Sequence, residues 1–239
     1  MSLEIFVVFH KNIIPESYKE LTEFEMKHIT FVAVNENIKK DPYDTTKYKV
    51  INEWEFPIYD PSLQKNKFNE NSVIHHIFKN NMVKTKYVGF TQYDMCFMKN
   101  SINDILSKIE SSDKLLYFGA ELQDYETCFF YTWRDFTFYK NYYIFDSLKK
   151  GYEILAKKNI DKNKKFPLLN TYIISAETYN KITPFAIHLY NYSISNNFFE
   201  HGHNFQDQAG IFERVMAFLV GQEANSFEMC SIIHFAKQN

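Results

Sequence analysis

Asp94 stands in the stretch TKYVGFTQYDMCF, Thr85 to Phe97, where an apolar run meets Gln92, Tyr93 and Asp94 and then turns apolar again. A carboxylate at the end of a buried strand can hold a divalent cation that bridges a diphosphate. Mg²⁺ or Mn²⁺ takes one or two protein carboxylates there and completes its shell with phosphate and water. The plainer reading makes Asp94 the cap of a turn. The ends of two other apolar runs could join it: Phe9, His10 and Lys11 at the first, Asn35 and Glu36 at the second. His201 and His203 in EHGHNFQDQ form a further polar cluster next to Asp207, and alternation in an extended segment would put both imidazoles on one side. His75 and His76 are adjacent, so on a helix they point about 100° apart and cannot share a metal. His75 could reach a bound nucleotide if the amino terminus of its helix faces the site. Trp133, Arg134 and Asp135 could line a groove for a sugar ring, although an aromatic core segment explains Trp133 equally well.

These residues need a scaffold, and the pattern of apolar runs supplies one. EIFVVFHK and ITFVAVNEN read as buried strands, with PESYKELTEFEMKH between them as a helix opened by Pro15. Continuous apolar strands separated by a helix indicate a parallel α/β sheet. Residues 38–70 are polar and contain Pro42, Pro57 and Pro61, which predicts loops. NENSVIHHIFKNN reads as a helix capped by Asn71 or Ser72, and it leads into KYVGFTQYDMCF, a strand whose carboxyl end is the Gln92-Tyr93-Asp94 turn. SINDILSKIE is an amphipathic helix with Ser101 as cap. KLLYFGAE and PLLNTYIISAE read as strands, Thr183 and Pro184 as the start of a helix, QDQAGIFERVMAFLV as the last helix and MCSIIHFAK as a closing strand. TCFFYTWRDFTFYKNYYIF is too aromatic to assign to strand or helix. With no repeat and no flexible linker, the 239 residues are expected to form a single domain.

Composition removes several classes. A formal net charge of −2 gives no general attraction to nucleic acid or an anionic membrane. None of the six glycines lies in a GxGxxG, GxxxxGK[ST] or GxSxG pattern, which argues against Rossmann dehydrogenases, P-loop NTPases and α/β-hydrolases. Three scattered cysteines, Cys96, Cys128 and Cys230, make no disulfide framework and no CxxC zinc site. With no basic leader and no apolar run of membrane-spanning length, the expectation is a cytoplasmic protein.

A helix ending in FKNN, the strand KYVGFTQYD, a later LLNTYIISAETYN and the terminal QDQAGIFERVMAFLV occur in this order over about residues 70 to 220. Together they resemble glycosyltransferases of the GT-A type, in particular bacterial polysaccharide transferases and related large-DNA-virus enzymes. In that pattern a helix ending in K-N precedes a strand of the form Y-[IV]-G-[FL]-x-[HQ]-Y, and a carboxy-terminal helix carries E-R-[LV]. The bacterial branch continues H-Y-R-R where this chain has Gln92-Tyr93-Asp94-Met95. That departure removes the two arginines and brings the turn closer to the D-x-D motif of metal-dependent GT-A enzymes. Asp94 stands at the second aspartate of that motif, and Gln92 replaces the first.

The resemblance implies a single GT-A-like α/β domain, with a mostly parallel sheet flanked by helices, that moves a sugar from a nucleotide diphosphate donor to an acceptor hydroxyl. A UDP-sugar is the favoured donor, and a glycan or glycoprotein the acceptor. Mn²⁺ or Mg²⁺ would be held by Asp94 and by a late histidine, for which His234 is best placed. Phe9, His10, Lys11, Asn35, His75, Gln92 and Tyr93 would surround the donor. Inverting transfer needs a general base, and Asp207 comes before Glu213 as the candidate. The plain alternatives are a helix-terminal acid for Asp207 and a local ion pair for Glu213. Two rival classes are a non-catalytic carbohydrate- or partner-binding module on the same fold and a metal-dependent hydrolase using His201, His203, Asp207 and Asp94. The absence of an H-E-x-x-H spacing counts against the second.

Overall fold

The computed structural model describes residues 2–34, 47–65, 69–111, 122–125, 149–150, 152–154, 156–167, 170–195, 208–225 and 227–234. The apolar runs do form the sheet. β1 (Leu3–Phe9), β2 (Ile29–Ala33), β3 (Val50–Asn52), β4 (Tyr87–Gln92) and β8 (Tyr172–Ser175) assemble in the order β3-β2-β1-β4-β8. The first four are mutually parallel and β8 is antiparallel to β4. β5 (Met95–Phe97) pairs antiparallel with β9 (Ile232–His234), and the two-residue strands β6 (Leu122–Gln123) and β7 (Phe166–Pro167) pair with each other.

Alternation along β1 shows why its sequence has no polar face. Leu3, Ile5, Val7 and Phe9 point into one apolar layer and Phe6 and Val8 into the other, so both faces of the strand are covered. The helices α3 (Glu70–Lys79), α5 (Ala176–Ser195) and α6 (Gln208–Glu223) supply the second layer through Ile74, Ile77, Tyr179, Ile182, Val215 and Phe218. The first layer is closed by Ile102, Ile105 and Ile109 of α4 (Ser101–Ser111) and by Met95, Phe97 and Ile232 of the small β5-β9 sheet. The result is a mixed α/β fold with a mostly parallel central sheet flanked by helices. Among the described residues no helix is long and apolar enough to cross a membrane.

Several local expectations are corrected. The segment 15–28 is a single turn of 3-10 helix, Pro15–Tyr18, followed by the short α1 (Glu23–Met26), because Thr22 and Glu25 form a reciprocal capping box that starts a new helix. The other carboxylate oxygen of Glu25, Oε1, accepts from the Asn103 amide at 3.3 Å, so it serves the amino terminus of α4, while the Ser101 hydroxyl has no hydrogen-bond partner among the described residues. The region 38–70 is not all loop: it contains β3, a short 3-10 turn Glu53–Glu55 and α2 (Pro61–Lys65). Thr183 and Pro184 lie inside α5 rather than at its start. Ser175 caps that helix by accepting from the Thr178 amide at 3.0 Å, and the Thr183 hydroxyl donates back to the Tyr179 carbonyl at 2.7 Å. KLLYFGAE and the aromatic segment 127–145 lie outside the described residues.

α3 is seated by a buried polar cluster. Asn69 holds its N-cap position without a side-chain capping bond, so the expected caps Asn71 and Ser72 lie inside the helix, and the Ser72 hydroxyl stands 2.5 Å from Glu53 Oε1. Glu53 and His76 are both buried, and His76 Nδ1 lies 2.7 Å from the same oxygen. The Asp60 amide donates to His76 Nε2 at 2.9 Å, which leaves the ring proton on Nδ1 to donate to Glu53. Gln64 donates to Glu53 Oε2 at 2.7 Å. Every oxygen of this buried carboxylate is therefore satisfied, as it must be for α3 to hold a fixed place on the sheet.

Candidate active site

β1 has neighbours on both sides, and the order in which the strands are laid down reverses beside it. The chain goes from β1 to β2 and β3 on one side, then returns to place β4 on the other. A crevice forms outside the carboxyl ends of strands at such a reversal, and ligands of open α/β sheets collect there. In the β1-β4 register Val8 faces Gln92, which carries His10 to the level of Asp94. The crevice between β1 and β4 thus receives His10 and Lys11 from one strand and Gln92, Tyr93 and Asp94 from the other.

The side chains meet as the register requires. The His10 and Tyr93 rings pack edge to face, with centroids 5.0 Å apart. From below, the buried Tyr18 donates its hydroxyl to the Tyr93 carbonyl at 3.3 Å and so fixes the turn that presents Asp94. Phe9 is completely buried, and its carbonyl accepts from the Val34 amide at 3.1 Å, so its ring and its backbone oxygen are both committed to the fold. Lys11 is exposed and His10 half-buried.

Glu70, the first residue of α3, completes a group that the sequence reading did not contain. Burial raises its carboxyl above the usual range, and the charge of Asp94 raises it further. The Tyr93 hydroxyl is likewise raised by burial and by the charges of Asp94 and Glu70, and that of Tyr18 well raised by burial and by Asp94. The His10 imidazole is lowered by burial and by Lys11, with Asp94 opposing. The charge of Asp94 thus acts on Glu70, Tyr93, Tyr18 and His10, adding to the effect of burial on the first three and opposing it on His10. Among the described residues no group of three or more His, Cys, Asp and Glu side chains could hold a metal. Two oxygen donors that repel each other nevertheless suit a hard divalent cation that takes its remaining ligands from phosphate and water.

A second polar group lies on the helix side of the β4 end. The Gln92 carboxamide donates to Glu213 Oε2 at 3.5 Å, and Arg214 donates to Glu213 Oε1 at 3.0 Å. The antiparallel pairing of β5 with β9 brings the His234 backbone into register with Met95, next to Asp94 in the chain. His75 is half-buried on α3 beside a small apolar recess lined by Ile74, Phe212 and Met216, and burial takes its imidazole down to about 4. His76 is buried as well, so neither of the two adjacent histidines is exposed. Asn35, Asp207, His201, His203, Trp133, Arg134 and Asp135 lie outside the described residues.

The chain matches no protein-family model and no curated protein at the level of sequence. Its fold does have solved counterparts. It superposes on the apo structure of the bifunctional glycosyltransferase WbbM with a TM-score of 0.60 at 10% identity, covering 98% of this chain and 45% of that one. A fragment of S. aureus TarS, residues 1–349, aligns over 98% of this chain and 60% of its own, with 10% identity and a TM-score of 0.46. The chain thus has the fold found in the glycosyltransferase WbbM and spans less than half of the WbbM chain.

Proposed function

We propose that this chain is a nucleotide-sugar-dependent glycosyltransferase of the GT-A type, transferring a hexose from a nucleotide diphosphate donor, UDP-sugar by preference, to a hydroxyl of a glycan or glycoprotein. The observation that carries the reading is the meeting of His10, Tyr93 and Asp94 at the sheet reversal between β1 and β4, where the charge of Glu70 also acts on Tyr93. The fold shared with WbbM agrees with it.

In this reading the nucleotide lies over the ends of β1 and β2, against His10, Lys11 and Asn35, and its diphosphate reaches Asp94. Asp94 and Glu70 would hold Mn²⁺ or Mg²⁺, with His234 as a further ligand from β9. Such an ion offsets the charge that develops on the departing nucleotide diphosphate. The acceptor hydroxyl attacks the anomeric carbon, the bond from that carbon to the diphosphate oxygen breaks, and the hydroxyl proton passes to a carboxylate. Asp207 or Glu213 takes that role. Arg214 and Gln92 hold the Glu213 carboxylate in place on the side of the crevice where an acceptor would enter.

One observation favours a second reading, a non-catalytic carbohydrate-binding module. Gln92 stands where metal-dependent GT-A enzymes carry a carboxylate, and its amide turns toward Glu213. Calorimetric titration with UDP and GDP, with and without Mn²⁺, separates the two. The transferase reading expects metal-dependent binding of one nucleotide that is lost in a folded Asp94→Ala variant. Failure of the parent protein to bind either nucleotide would favour the binding module.

A further inference from the structure

β8 enters the sheet from the crevice end, antiparallel to β4, and its register places Phe90 opposite Tyr172. One residue further, the Thr91 and Thr171 hydroxyls lie 3.5 Å apart, so the pairing persists and Asn170 falls opposite Gln92. Val88 and Phe90 on β4 and Tyr172 and Ile174 on β8 all enter the apolar layer under α3, α5 and α6. By alternation, Gln92 and Asn170 lie side by side at the upper rim of that same layer. Each reaches a helix: Gln92 touches Glu213 of α6, and Asn170 Nδ2 donates to Asn71 Oδ1 of α3 at 2.9 Å.

Asn170 is only 2% exposed, yet its Oδ1 is enclosed without a hydrogen-bond partner among the described residues. Reversing the amide would not help, since the N–H₂ group would then be the unpaired one. A buried carboxamide oxygen left unpaired is costly, and apolar side chains of similar size fill such positions when only packing is required. The position also has chemical meaning. From β1 to β4 to β8 the strand ends carry His10 and Lys11, then Asp94, then Asn170. A donor with its nucleotide at the first strand and its diphosphate at the second has its sugar at the third.

Resting on the transferase reading above, we infer that Asn170 is a specificity residue: its carboxamide oxygen accepts a hydrogen bond from one hydroxyl of the donor sugar. An amide suits this task because a sugar hydroxyl both donates and accepts, and because a site built around one hydroxyl discriminates strongly against an isomer that misplaces it. Asn71 acts behind it as a positioning residue that fixes the amide plane.

The test is calorimetric affinity in the presence of Mn²⁺ for UDP, GDP and epimeric donor pairs: UDP-glucose with UDP-galactose, UDP-N-acetylglucosamine with UDP-N-acetylgalactosamine, and GDP-glucose with GDP-mannose. Wild type is expected to prefer one member of a pair at least about tenfold. Asn170→Ala should bind the free nucleotide within about twofold of wild type and lose that preference. If the alanine variant does not fold, Asn170→Ser, which withdraws the oxygen, reads the same ratio. An unchanged preference in the alanine or serine variant, or a wild type indifferent to all the pairs, overturns the inference. Wild type that binds no nucleotide overturns the transferase reading itself, a result seen before any variant is made.

Discussion

The His10 and Tyr93 rings meet edge to face at 5.0 Å and join the carboxyl ends of two strands that are separated by most of the first half of the described chain. The contact uses the ring of Tyr93, while the hydroxyl of Tyr18 holds its backbone. Tyr93→Phe should therefore leave nucleotide affinity within about twofold, because the edge-to-face packing survives. Tyr93→Ala should weaken it about tenfold by freeing both His10 and the Asp94 turn, an interaction of roughly 1.4 kcal/mol. Titration calorimetry on the two variants checks the difference.

Glu213 is held from two sides, by Arg214 at 3.0 Å and Gln92 at 3.5 Å. If it accepts the acceptor's proton, Glu213→Gln should lower kcat by roughly 10²- to 10⁴-fold with nucleotide affinity nearly unchanged, since the isosteric amide keeps the packing but not the basicity. A variant that retains wild-type kcat transfers the role to Asp207. Arg214→Ala should act in the same direction and more weakly, by loosening the carboxylate rather than removing it.

Much of this arrangement is legible in the sequence. β1, β2 and β4 announce themselves because strands covered on both faces carry unbroken apolar runs, and Asp94 follows from the place where the third run stops. β3 does not, because Val50–Asn52 is a half-buried edge strand of only three residues inside a proline-containing polar stretch. The Thr183-Pro184 pair has the composition of a helix start, yet the hydroxyls of Ser175 and Thr178 begin α5 two turns earlier, and an interior proline is accepted there. Glu70 and Asn170 are invisible for a deeper reason. An acid in the first turn of a helix looks like a response to the helix dipole, and an asparagine before a strand looks like a turn. Only the adjacency of α3, β4 and β8 brings one within the field of Asp94 and the other opposite Gln92.

Acid should destabilise the fold through two groups with opposite charges and the same sign of linkage. Burial holds the His75 imidazole down to about 4, so the unfolded chain binds the extra proton first, and stability falls as pH drops from about 6.5 toward 4. Glu223 is held down to about 2 by Lys181, Tyr152 and Lys158, at 2.5, 2.6 and 2.9 Å, against the opposing effect of burial. Its contribution is complete above about 4.5 and disappears as pH falls toward 2. Thermal melts across pH 3 to 8 should show both phases. Glu223→Gln should remove the lower one and cost on the order of 1–2 kcal/mol at neutral pH.

Gly221 marks where α6 is pressed onto the β6-β7 pair. A methyl group there would stand 2.8 Å from the Lys165 carbonyl oxygen and would overlap the Phe166 ring, which is completely buried and stacked on Phe218 of the same helix. In an open helix, replacing glycine by alanine adds up to about 1 kcal/mol of stability. Here the backbone oxygen cannot move aside without shifting β7, so Gly221→Ala should instead cost about 1–3 kcal/mol and lower the melting temperature by several degrees. Because the same helix carries Glu213 to Gln92, the displacement should also reach the crevice: kcat should fall in Gly221→Ala more than free-nucleotide affinity does. A variant as stable as the parent, with unaltered turnover, would mean that the α6-β7 contact is slack and that α6 is positioned by the sheet alone.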